Sequence, residues 1–219
     1  MVTKFSWVER HLSKDDLLEI EKATASAELK SSGEIVAVLV KRSTPVGHVL
    51  PLMFLALVLI AIIMGADQKL KYYFDFGWGV ELFLLVGILT LAYFLAKLER
   101  VQRFLTSTED MSKEVMERAE LEFYHSSIKS TEGNTGLLLF ISFMERQAVV
   151  LADKAISDKC GKETWNEVIK ILIDGIRQKN MKAGIINGIN RCGEILTQHF
   201  PASYKNPNEL SNHLVVKDH

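Results

Sequence analysis

Little in this sequence can cross-link the chain, break it or give it charge of one sign. Two cysteines among 219 residues, Cys160 and Cys192, make neither a disulfide framework nor, by themselves, a zinc site. Four prolines and thirteen glycines exclude collagen-like or extended disordered character. Twenty-six Lys+Arg against 27 Asp+Glu leave a formal charge of −1, so there is no polybasic field to hold a phosphate backbone, and nucleic acid is not an expected partner. The sequence holds no Gly-rich phosphate loop, no Gly-x-Ser-x-Gly elbow and no His-Glu-x-x-His helix. Its six histidines form no close pair, and His199 reads as a cap on the last helix. No catalytic residue is assigned from these patterns.

What is abundant is apolar character, 48% of residues, beside 24% charged, which describes two regimes in one chain. From Ser43 to Ala66 no Asp, Glu, Lys or Arg occurs, and from Phe76 to Ala96 the only such residue is Glu81. Each run has the length of a membrane-spanning helix. With the polar link 67–75 they predict a transmembrane hairpin over residues 43–96, with spans at about 46–66 and 77–96. Tyr72, Tyr73 and Trp78 stand where an interfacial aromatic belt belongs, and Glu81 sits about one turn inside the second span. The opening residues MVTKFSWVERHLSKDD lack the apolar region and cleavage site of a secretory leader. Lys30, Lys41 and Arg42 before the hairpin and Lys97, Arg100, Arg103 and Lys113 after it outnumber Lys69 and Lys71 in the link. The expected protein is therefore integral to the membrane with two spans and both termini cytoplasmic, where unpaired cysteines stay reduced.

An even number of spans returns the chain to the side it left, so residues 1–42 and 97–210 are expected to build one cytosolic domain, followed by a polar, irregular tail over 211–219. Ser13 with Asp15 and Asp16 caps a helix that runs on to the Ser31-Ser32-Gly33 break. Residues 34–40, rich in Val and Ile, read as a strand buried on both faces. A helix using Met111, Val115, Ala119, Phe123 and Ile128 precedes two strands, 136–143 and 148–152, whose short polar link allows only an antiparallel hairpin. Helices beginning near Lys162 and Asn180 close the domain. The fold class is a layered α/β domain with a transmembrane hairpin inserted after its first strand.

One acidic constellation follows from these strands. A hairpin turning at Glu145-Arg146 brings Asp153 beside the start of the second strand, near Glu132 and Asn134. A first strand running parallel to the second brings Glu34 to the same edge. Glu34, Glu132, Asn134 and Asp153 are hard oxygen donors of the kind Ca2+ or Mg2+ takes. The alternative at this point is a solvated edge, with Glu34 and Asp153 capping helices or facing water.

Six short stretches, in order, resemble a known family: Ser32-Gly33-Glu34-Ile35-Val36, Asn134-Thr135-Gly136-Leu137-Leu138, Leu151-Ala152-Asp153-Lys154-Ala155-Ile156, Trp165-Asn166-Glu167-Val168-Ile169, His199-Phe200-Pro201 and Asn208-Glu209-Leu210. They are similar to the TPM domain, in its bacterial membrane-protein branch. The chain departs from the commoner pattern at Ala155, where glycine often stands, and at Ser211, where proline is usual. The resemblance implies an α/β sandwich, calcium binding in some members and acid-phosphatase activity in a plant relative. The expected function is a membrane-anchored cytosolic module with an interaction or regulatory role, touching the bilayer and a membrane or cytosolic protein partner and binding a divalent cation. The alternative is a metal-dependent phosphatase.

Overall fold

The computed structural model describes residues 7–65, 68–69, 72, 79–126, 128, 131, 133–202 and 208–218. Glu132, Lys71, Tyr73 and Trp78 lie outside them. Ser13 opens the first helix, α1 (Lys14–Glu28), through a reciprocal cap: its hydroxyl accepts from the Asp16 N–H while the Asp16 carboxylate accepts from the Ser13 N–H. The strand that follows, β1 (Glu34–Val40), is buried at every position. Beyond the apolar segment the chain forms α5 (Thr108–His125), the hairpin β2 (Gly136–Ser142) and β3 (Gln147–Ala152), and a short helix α6 (Lys154–Lys159). A 3-10 turn (Lys162–Trp165), α7 (Asn166–Arg177), α8 (Met181–His199) and a last strand β4 (Val215–Lys217) complete it. Among the described residues these strands make one sheet in the order β3-β2-β1-β4, with β1 parallel to β2 and to β4, and β2 antiparallel to β3.

The chain divides into two compact units, residues 1–44 with 111–219, and residues 45–110. In the first unit both faces of the sheet are covered, which is why β1 and β2 carry unbroken apolar runs rather than an alternation. Ile35, Ala37, Leu39, Leu137, Leu139 and Ile141 face a core shared with α1, α7 and α8. Val36, Val38, Val40, Leu138 and Phe140 face Val115, Ala119 and Phe123 of α5. At the crossing of α7 and α8 two glycines meet: a Cβ on Gly175 would stand 2.5 Å from the Gly184 Cα. The β2–β3 hairpin turns through Arg146 at φ 53°, and the buried Glu145 carboxylate before it accepts from the N–H groups of Ser43 at 3.2 Å and Thr44 at 2.9 Å, fixing the chain as it leaves β1.

The second unit holds α2 (Val49–Ile63), α3 (Gly79–Ala96) and α4 (Glu99–Phe104). Pro51 is harmless in the first turn of α2, where a missing N–H costs no helical bond. Gly65, at φ 59°, follows the Met64 cap and stops α2 three residues short of the end expected at about 66. α2 has 15 residues and α3 has 18, rising about 22 and 27 Å against a hydrocarbon core of about 30 Å. Among the described residues no helix is long and apolar enough to cross a membrane. The two helices pack on each other, and the side chains turned away from that contact are large and apolar: Leu55, Leu59 and Ile63 on α2 and Phe83, Leu89 and Phe94 on α3 are each about half exposed or more. Glu81 stands in the first turn of α3, where a carboxylate favours the helix dipole.

Candidate functional site

The end of the sheet at which β1 and β2 begin gathers the acidic groups. Parallel pairing sets Glu34 opposite Gly136, and the hairpin ladder runs one step past β3, so that the Asp153 N–H donates to the Gly136 C=O at 2.8 Å. Glu34, Gly136 and Asp153 thus form a row across three strands, with Glu34 and Asp153 about 10 Å apart along it. Asn134 joins the row through its backbone: at φ 50° it turns the chain into β2, and its C=O accepts from the Ala155 N–H at 3.2 Å.

The side chains in this row have separate work. Asp153 is the N-cap of α6, with Oδ1 accepting from the Lys154 N–H at 2.7 Å, while its Oδ2 is buried and meets no hydrogen-bond donor among the described residues. Glu34 is 3% exposed and its Oε2 accepts from the Leu210 N–H at 3.2 Å. Burial raises the Glu34 carboxyl above its ordinary value; the Leu210 and Glu209 N–H groups oppose this, and the charge of Glu209 adds to it. Glu132 is outside the described residues. Among those that are described, no three Asp, Glu, His or Cys side chains are placed to hold a metal ion.

The residue that pattern reading missed is Glu28. It lies in the last turn of α1 on the stripe of Ile20, Thr24 and Ala27, and is 5% exposed. Its Oε1 accepts from the Ile35 N–H at 2.8 Å and its Oε2 from the Asn212 side-chain amide. Burial pushes its carboxyl up to about 8; the Ile35 N–H pulls the other way, and the charge of Glu34 raises it further. A signal existed in the sequence, since Glu28 stands eight positions after Ile20 and therefore on the same helical face. Burial thus raises both carboxyls and favours their protonated forms. The hydrogen bonds described for this pair come from the Ile35 and Leu210 N–H groups and the Asn212 amide.

Comparison with known proteins bears on the fold. The TPM domain family model matches residues 96–195. No curated protein matches the chain. Among solved structures, the NMR structure of BA42 protein from the psychrophilic bacterium Bizionia argentinensis superposes with a TM-score of 0.60, over 97% of this chain and 100% of that one, at 19% identity. At that identity the likeness is one of fold.

Proposed function

From the premise that residues 96–195 match the TPM domain, we propose that this chain is a membrane-anchored module of the bacterial membrane branch that serves an interaction or regulatory role. The observation that carries the reading is the pair α2 and α3, whose outward side chains are apolar along both helices. A soluble protein seldom leaves so much contiguous apolar surface in water. Each Leu, Ile or Phe moved into hydrocarbon contributes on the order of 1–2 kcal/mol, so the hairpin has a strong bias toward lipid. The runs from Ser43 to Ala66 and from Phe76 to Ala96 have the length of membrane spans, which supports the reading from the sequence side. The basic residues flanking the hairpin favour cytoplasmic termini, and Cys160 and Cys192, buried and unbonded, suit a reducing compartment. A protein partner in the membrane or cytosol follows from an anchored domain without an evident catalytic pair.

Weak binding of Ca2+ or Mg2+ at the acidic edge belongs to the same reading. The buried Asp153 Oδ2, lacking a donor among the described residues, supports it, with Asn134, Glu132 and Glu34 as the further oxygen donors. Reporter fusions test the placement: one after His219 and one before Met1 are expected to read cytoplasmic, and one within 67–75 the opposite side. A cytoplasmic reading from the link would remove the two-span arrangement. Crosslinking in native membranes should then return a discrete protein partner.

A further inference from the structure

The segment from Asn208 to Lys217 lies across the acidic end of the sheet and is held there by the two buried carboxylates. Glu34 accepts from the Leu210 N–H and Glu28 from the Asn212 amide. Leu214 then sinks to 6% exposure in the core, and β4 pairs Val215–Lys217 with Val38–Val40 of β1. The Lys217 C=O accepts from the Lys41 N–H at 3.0 Å, and its ammonium meets Glu122 on α5. Three strand residues are few to hold an edge strand by themselves. The grip at Glu28 and Glu34 sets where the segment starts.

Glu28 faces the Ile35 N–H, the Asn212 amide and the charge of Glu34; Glu34 faces the N–H groups of Glu209 and Leu210 and the charge of Glu209. While Glu28 holds its proton, no charge repulsion acts between it and Glu34. When the proton leaves, the charges of Glu28 and Glu34 oppose each other beneath the segment. The element with least to hold it is the one that yields.

We propose that residues 208–217 are a proton-gated strap, latched across β1 by Glu28 and Glu34 and loosened when the pair is fully ionised, which bares the outer backbone edge of β1. Burial already holds both carboxyls above their ordinary values, Glu28 at about 8, so the strap is closed in mildly acidic solution and opens through mildly alkaline pH. An uncovered inner strand edge is a surface that sheets otherwise keep paired.

Hydrogen exchange on the full chain in nanodiscs tests this, with each rate divided by the intrinsic rate at its pH. Between about pH 6 and pH 9 the protection of Leu210 and Val215–Lys217 should fall by about tenfold or more, while Leu138–Ile141 of β2 change by less than about twofold. Glu28→Gln should flatten the strap profile, and Glu34→Gln is the second variant if the first does not fold. The proposal is overturned if wild-type strap protection is level across this range, if β2 loses protection in step with it, or if a folded Gln variant follows the wild-type curve.

Discussion

Replacing Gly175 by alanine isolates the packing of α7 on α8. In an open helix the change should stabilise by about 1 kcal/mol through propensity alone. Here the new methyl would stand 2.5 Å from the Gly184 Cα and 3.1 Å from its N, both backbone atoms that no rotamer change can move aside. Carbon atoms rest at about 3.5–4.0 Å, so the helices must part by roughly 1 Å along the crossing that buries Leu172, Ile176, Ile185 and Ile189. Overpacking of this kind costs about 1–3 kcal/mol, and it must also cancel the propensity gain. The net expectation is a loss of about 1 kcal/mol in urea unfolding, with m unchanged. Gly87→Ala on α3, where a Cβ meets nothing within 4 Å, is the control and should lose nothing. If Gly175→Ala equals or exceeds the parent in stability, the close crossing of α7 and α8 is wrong.

Three further outcomes follow from particular groups. Because the folded carboxyl of Glu28 lies at about 8, above an ordinary value of 4.5, its contribution to stability is full below about pH 4.5 and is lost as pH rises to about 8; Glu28→Gln should therefore exceed the parent at pH 7.5 by up to about 4 kcal/mol and converge with it near pH 5, as read by unfolding across pH. Glu145→Ala strands the N–H groups of Ser43 and Thr44 and leaves the Ser142 hydroxyl with the Ser43 hydroxyl alone, for an expected loss of about 2–4 kcal/mol in the same assay. Millimolar Ca2+ should raise the melting temperature of the parent and leave Asp153→Asn unmoved; equal shifts in both would remove Asp153 from any cation site.

Much of the α/β domain is legible in the sequence because its signals are local. The Ser13 box, the Val-rich run of β1 and the short link of the β2–β3 hairpin each carry their own structural cause. The parallel register that sets Glu34 opposite Gly136 also agrees with the strand pairing expected at the acidic edge. Other features lack a local cause. The tail expected to be irregular contains β4, whose three residues show no period and whose partner stands far back in the chain at Val38–Val40. The break at Leu98, extended at ψ 120° between α3 and α4, falls in a stretch without proline or glycine to mark it. At the candidate site, the cap made by Asp153 is visible in sequence, but the burial of Glu28 depends on Asn212, remote along the chain. A carboxylate on a buried helical face is the available clue, and only tertiary packing shows what it meets.

The proposed role of residues 45–110 is to hold the α/β unit to a bilayer. Alkaline carbonate washing of membranes from cells expressing the full chain, beside a variant in which a flexible linker joins Thr44 to Met111, tests it directly. The full chain should stay with the membrane pellet, while the variant should be released as a folded protein with the sheet's protected amides intact. Release of the full chain by carbonate, or retention of the linker variant, would contradict the claim.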